Sequence, residues 1–388
     1  MVKYPRDLES IAALQFCGLN YRVAKDINDR WHAARACNMV NLDFIDWVIE
    51  YLDVRRHHID NCGGLCDQWK IQLQDIGVND QLAAAIAMPG HDMVRLTQPA
   101  LEWVIETMKC RYHFLEYHKS FSNERGHKGR QDPGRIHKTS GNTSDSVSVN
   151  TSDDILGTSN DPSTDTADNA YTNTYTLVPP ANNFALPGCT VLWRAFDRMH
   201  VENCWRRPFR QGGFRLQWLT SQPGGDFNMD HTAWCFTVSL EGAQRHAAYL
   251  QNFASPAGVC LVRLALPDRL IEDAKPHILH FPAEDFKKAV YSCRTMDSKM
   301  LPRFLWEAGL VIGDACRSDI RPFRNMDDWS EISEHNLVKL SDGTTMTQHV
   351  LSCRGLLGRS LEPDHVTIHS ALKPDEYLSP IIEYYMFL

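Results

Sequence analysis

The chain has 388 residues, 43% of them hydrophobic and 23% charged, with a formal net charge of −8. These proportions exclude a fibre or a wholly disordered chain, and the acidic balance excludes coating nucleic acid through bulk positive charge, so any RNA contact needs a local basic groove. No segment approaches the roughly 20 apolar residues of a membrane span, and Met1 to Ser10 carries four charges with no apolar run behind it, so a cytoplasmic location is expected. The twelve cysteines stand mostly singly, which in a long chain without an export signal points to reduced, buried thiols.

Residues 1–119 form a helical N-terminal region. Asp7 is a plausible N-cap for a stripe of Leu8, Ile11 and Leu14. A second stripe comprises Phe44, Trp47, Val48, Tyr51 and Leu52. After Pro99, a residue suited to a first helical turn, Leu101, Val104, Ile105, Met108, Tyr112 and Leu115 recur at spacings of three and four. Residues 120–186 read as a disordered low-complexity linker, because Ser, Thr, Asn, Asp and Gly cannot bury enough apolar surface to offset chain entropy. Its first part is basic and could brush a phosphate backbone or be merely solvated.

Residues 187–388 change pattern. Thr190 to Ala195, Ala233 to Val238, Gly258 to Leu266, Gly309 to Gly313 and Thr347 to Leu351 are short, β-branched or aromatic runs bounded by turn formers, and read as strands. Leu240 to Leu250 and Asp285 to Cys293 read as helices between them. The fold class expected is α+β, a C-terminal mixed domain behind a helical front.

Four constellations can carry chemistry. Asp327-Asp328-Trp329-Ser330-Glu331 opens a short helix on which three carboxylates share a face. Such a cluster can hold Mg²⁺ on a diphosphate, grip a guanidinium or trade protons with an amine. Asp-x-x-Glu at a helix start is equally a capping box that satisfies free N–H groups. The diphosphate use is disfavoured because the motif follows a Pro-containing loop instead of lying inside a long apolar helix. Leu192-Trp193-Arg194, followed by Gly224-Gly225-Asp226-Phe227-Asn228 and Trp234-Cys235-Phe236-Thr237, superficially resembles ADP-ribosyltransferases, in which such an arginine supports the dinucleotide phosphates, but the late glutamate those enzymes need has no convincing counterpart. From Arg194 to Trp218 arginines alternate with aromatics, and Arg194, Arg206 and Arg207 are candidate tRNA-binding residues, since guanidinium forks pair with phosphates while rings stack on bases. His57, His58, Cys62, Cys66 and His91 lie near one another in sequence without a second matched pair, and no metal is assigned.

On Leu192-Trp193-Arg194, Ala233 to Tyr249, Val259 to Pro267 and above all Asp327-Asp328-Trp329-Ser330-Glu331, the rear of the chain resembles the fungal arginine-containing cyclodipeptide synthases, whose Asp-Asp-x-x-Glu motif it matches. The resemblance implies an aminoacyltransferase that joins arginine from arginyl-tRNA to a residue from a second aminoacyl-tRNA and closes a 2,5-diketopiperazine, with Asp327, Asp328 and Glu331 catalytic. The tRNA esters already carry the activation, so no cofactor is implied.

Overall fold

A computed structural model describes residues 4–39, 41–55, 65–128, 175–178, 186–206, 219–221, 223–229, 232–318, 322–353, 365–370 and 381–384. The front is helical because short polar side chains sit just ahead of apolar stripes. Ser10 caps α1 (Ile11–Cys17), Asn20 caps α2 (Tyr21–Ala36), α3 spans Phe44–Asp53, α4 Cys66–Asp75, and Asn79 caps α5 (Asp80–Ile86). The cap of α1 is Ser10, not Asp7: the Ser10 hydroxyl accepts from the Ala13 amide, whereas the Asp7 carboxylate turns back to the Glu9 amide. A single turn, α6 (Asp92–Arg95), leads into α7 (Ala100–Lys128), which carries the expected stripe and runs on past Ser120. The remaining expected linker, residues 129–174 and 179–185, lies outside the described residues.

Behind the front, strands β2 (Cys189–Asp197), β3 (Ala233–Thr237), β4 (Val259–Pro267), β5 (His277–Leu279), β6 (Leu310–Asp314), β7 (Thr347–Ser352) and β8 (Val366–Ser370) form one mixed sheet, in the order β5-β6-β7-β3-β2-β4-β8. Only β5 and β6 run parallel; the other neighbours are antiparallel. Strand β1 (Tyr175–Val178) pairs separately with β9 (Ile381–Tyr384). The helices of this part are α8 (Arg198–Arg206), α9 (Leu240–Leu250), α10 (Asp268–Asp273) and α11 (Glu284–Thr295), the last crossing over between the parallel strands. The chain is therefore α+β.

Strand β4 shows why the sheet sits inside. Val259 and Leu261 face one side, Cys260, Val262, Leu264 and Leu266 the other, and all are buried. On the first side, Trp193, Ala195, Val259 and Leu261 share one apolar core with α9 and with the helical front. Trp103 of α7 meets the ring of Tyr249 edge-on at 5.0 Å, and the Tyr249 hydroxyl donates to the Ile86 carbonyl at 2.6 Å. Two fully buried aromatics of this size contribute roughly 4–6 kcal/mol each at about 25 cal/mol per Å². The second side holds Leu192, Phe196, Trp234 and Phe236. A third cluster packs α11, through Phe286, Ala289 and Val290, against β5 to β7. Among the described residues no helix is long and apolar enough to cross a membrane.

Candidate active site

Strands β2 and β3 touch at one register position only, Trp193 opposite Thr237. Past it they splay, and the Arg194 guanidinium fills the opening. Its Nη1 donates to the Ser221 hydroxyl at 2.5 Å and to the Cys235 carbonyl at 3.2 Å, and its Cζ lies 4.7 Å from the Phe196 ring centre. Arginine suits such a gap because its planar fork satisfies several acceptors at once.

The opening forms the floor of a cleft of about 1130 Å³ of empty space, its solvent mouth included, between α6–α7, the β2–β3 gap, α9 and the loops 221–226 and 338–348. One wall carries Glu102 and Glu106, four residues apart and so on one face of α7. Glu106 is enclosed by protein yet keeps partial accessibility because it lines the cleft. Burial pushes its carboxyl above the ordinary range, an effect that Arg194 partly offsets. Across the cleft, burial, reinforced by Arg194, holds His246 down at about 3, so its imidazole is neutral at pH 7; its Nε2 has no hydrogen-bond partner. A carboxyl raised by burial is suited to take and return a proton, whereas the His246 imidazole, held at about 3, is too weak a base to take one near neutral pH.

The far wall is fixed by Asp226. Its carboxylate accepts from Arg294 Nε at 2.6 Å, from the Cys316 amide at 2.8 Å and from Gln348 Nε2 at 2.5 Å, and both Asp226 and Arg294 are almost fully buried. The turn presenting it needs glycine: Gly224 has φ +97°, and a Cβ at Gly225 would overlap the Asn228 side chain. With all three donors occupied, Asp226 positions the wall and is not poised to bind ligand. Thr237, at the end of β3, accepts from the Ser239 amide while donating to the Thr347 carbonyl, which ties α9 to β7 beside Gln348.

The acidic motif lies elsewhere. It belongs to the connection between β6 and β7, where Trp329–Glu331 form a single 3-10 turn; the expected α-helical face carrying three carboxylates does not form. Asp328 caps that turn by accepting from the Ser330 amide at 2.6 Å, Glu331 accepts from the Asp327 amide, and the Ser330 carbonyl faces Lys287 Nζ at 3.4 Å. Asp327 and Asp328 are exposed, and none of the three lines the cleft. Together with Asp297 they do surround Tyr291 of α11, whose hydroxyl is raised by burial and then by these carboxylates. Lys288 lies 5.2 Å over the Trp329 ring. Of the three arginines expected to bind tRNA, Arg194 reaches the cleft, Arg206 ends α8, and Arg207 lies outside the described residues, as does most of the arginine-aromatic stretch. His57, His58 and Cys62 also lie outside them; Cys66 opens α4, and His91 packs on Tyr249 at 5.5 Å.

Sequence reasoning missed Glu102, Glu106 and His246, and held Asp226 only as part of the Gly224 to Asn228 run between the two strands. The signal for the glutamates was present, two acids at i and i+4 on a helix otherwise read by its apolar stripe, but such pairs ordinarily mark a solvated face. The chain matches no protein-family model, and comparisons with curated proteins and with solved structures find no match.

Proposed function

We propose that the protein is an aminoacyl-tRNA-dependent aminoacyltransferase that makes an arginine-containing cyclic dipeptide, with its chemistry seated in the cleft. The observation that carries this reading is the pair of carboxylates on α7, Glu102 and Glu106, facing the Arg194 floor. A guanidinium substrate pairs with a carboxylate through two parallel hydrogen bonds, a task for Glu102. Glu106 is suited to the proton transfer. The α-amine of one aminoacyl group attacks the ester carbonyl of the other, forming the C–N bond and breaking the C–O bond to the tRNA ribose. The amine proton passes to Glu106 and on to the departing ribose oxygen, and Arg194 stabilises the oxyanion formed between the two events. A second, intramolecular attack by the remaining amine on the remaining ester closes the six-membered ring and releases the second tRNA. The resemblance of the rear part to cyclodipeptide synthases supports the same reaction while assigning the catalytic role to Asp327, Asp328 and Glu331.

A second reading draws on a different relation. Arg194 of β2, Thr237 of β3 and Gln348 of β7 all border the cleft, an arrangement suited to a dinucleotide phosphate, as in ADP-ribosyltransferases. Strand β7 delivers Gln348 in place of a glutamate, so the carboxylate for that chemistry would have to come from α7.

The test is expression in a host with charged tRNAs, with mass spectrometry of the medium, beside an NAD⁺ consumption assay on the purified protein. An arginine-containing diketopiperazine that disappears in Glu106→Gln supports the first reading; Arg194-dependent loss of NAD⁺ with no such product replaces it with the second.

A further inference from the structure

The loop that closes one side of the cleft is built as a short hairpin over residues 338–346. Lys339 and Thr345 pair across it, the Met346 amide donates to the Val338 carbonyl at 2.8 Å, and the Leu340 amide donates to the Thr344 carbonyl at 2.9 Å. Opposed and alternate residues of such a pair share a face, so Val338, Leu340 and Met346 fall on one side and Lys339 and Thr345 on the other. The two sides differ in chemistry. On the outer side Lys339 Nζ reaches Glu334 at 2.9 Å and the Thr345 hydroxyl at 3.0 Å, while the three apolar residues all line the cleft.

The hairpin is held at both ends. Its base is rooted on the end of β6, where the Val338 amide donates to the Ala315 carbonyl at 2.9 Å and the Ala315 amide to the Met346 carbonyl at 2.8 Å. Its tip is tied to the first turns of α9: the Glu241 carboxylate accepts from the Ser341 amide at 2.9 Å and the Ser341 hydroxyl at 2.8 Å, and Arg245 Nη1 donates to the Lys339 carbonyl at 2.7 Å. Met346 lies so close to α9 that a Cβ on Gly242 would crowd its sulfur. Val338 is buried, but Leu340 and Met346 are only half-buried and belong to none of the three apolar cores of the described residues. They are the hydrocarbon that the hairpin offers the cleft.

The cleft is therefore two-sided. Helix α7 brings the carboxylates Glu102 and Glu106, the Asp226 carboxylate is taken up by its three donors, and the hairpin side chains that line the cleft carry no charged group. A guanidinium lodged against Leu340 and Met346 would leave its N–H groups without acceptors. An apolar group in the same place gains by leaving water.

Resting on the cyclodipeptide reading, we infer that the inner face of the hairpin selects the second aminoacyl group: its side chain is apolar and lies on Leu340 and Met346 while α7 holds the arginine. Leu340 and Met346 determine specificity and take no part in making or breaking bonds. The flexible thioether of Met346 adapts to several shapes, so this wall excludes charge more strictly than it measures size.

The experiment is mass-spectrometric product analysis from cells expressing the full-length protein and two variants, Leu340→Glu, which puts a carboxylate on the apolar wall, and Leu340→Ala, which enlarges it. Purified variants are checked for folding by thermal melting. The wild type is expected to make cyclo(Arg-Xaa) with an apolar Xaa. In Leu340→Glu that product should fall about tenfold or more while the share of basic Xaa rises, and in Leu340→Ala the distribution should move toward bulkier apolar residues. If Leu340→Glu does not fold, Leu340→Ala decides alone. A wild-type Xaa that is charged or strongly polar overturns the inference. So does an unchanged distribution of Xaa in a folded variant, whether the yield holds or all products fall together; a uniform fall would put a part common to both substrates, such as the tRNA end, on the hairpin. A wild-type protein that yields no arginine-containing diketopiperazine is a distinct result, which overturns the catalytic reading and the inference with it.

Discussion

The Arg194 guanidinium donates to the Ser221 hydroxyl at 2.5 Å, and Ser221 in turn bridges Ala233 at the start of β3. A residue of β2 thus holds β3 and its approach loop at a fixed distance across the place where the two strands no longer pair. Arg194→Lys keeps the charge but loses the planar guanidinium whose Nη1 reaches Ser221 and the Cys235 carbonyl while its plane lies against the Phe196 ring. The expected outcome is a loss of about 1–3 kcal/mol of stability with product reduced at least a hundredfold, read by urea denaturation and by diketopiperazine yield.

Tyr249→Phe isolates a single hydrogen bond between α9 and the front. The ring stays, the hydroxyl goes, and the Ile86 carbonyl is left without that donor. A destabilisation of about 1–3 kcal/mol is expected. A difference below a few tenths in chemical denaturation would show that the contact is not made.

Two substitutions separate the cleft from the acidic motif. Glu106→Gln removes a carboxyl that is costly to ionise where it stands, so above neutral pH the variant is expected to be at least as stable as wild type while losing product. Asp328→Asn removes the charge from the cap of the 3-10 turn, where hydrogen bonds from Ser330 hold Asp328 below its ordinary range, and the exposed turn is expected to be only slightly weakened, with the global fold kept. The resemblance to the synthases implies product loss as well. Product from a folded Asp328→Asn protein assigns that carboxylate to the cap; its disappearance gives it a second role.

Acid stability is expected to be governed by buried histidines. Burial holds His246 at about 3 and His349 and His369 at about 4. Between those values and 6.5 the unfolded chain binds protons that the folded chain does not, so their contribution is intact above pH 6.5 and is lost as pH falls toward 4. Glu106 and Asp197, raised by burial, act with the opposite sign as they protonate in the folded state. His369→Leu therefore isolates one histidine: relative to pH 8, the variant should lose about 1–2 kcal/mol less than wild type at pH 5. Melting curves across that range check it, and parallel curves for the two proteins refute it.

Much of the rear sheet was legible in the sequence because its strands are buried on both faces and so read as continuous apolar runs; β2, β3, β4, β6 and β7 all fall where those runs lie. Strand β5 escaped because it has three residues, two of them exposed, and exists only through its parallel pairing with β6. Helix α2 escaped because its surface is rich in Arg, Lys and Asp while its buried stripe, Val23, Ala24, Ile27 and Trp31, is thin. The acidic motif was legible as a motif, and its capping alternative describes the local hydrogen bonds that form. The cleft was legible only in part: Arg194 and Asp226 stood in one candidate constellation, but Glu106, His246 and Gln348 come from three other elements, and nothing local in the chain ties them to it.

The shared core of the front helices and the sheet has a consequence for synthesis. Trp103, Val104 and Met108 leave the ribosome long before Tyr249, Leu250, Val259 and Leu261, the residues they are buried with. During that interval the nascent front carries an uncovered greasy face, the condition in which chains aggregate or recruit chaperones. Yield from a heterologous host should therefore depend on translation rate and chaperone supply more steeply than on the melting temperature of the finished protein.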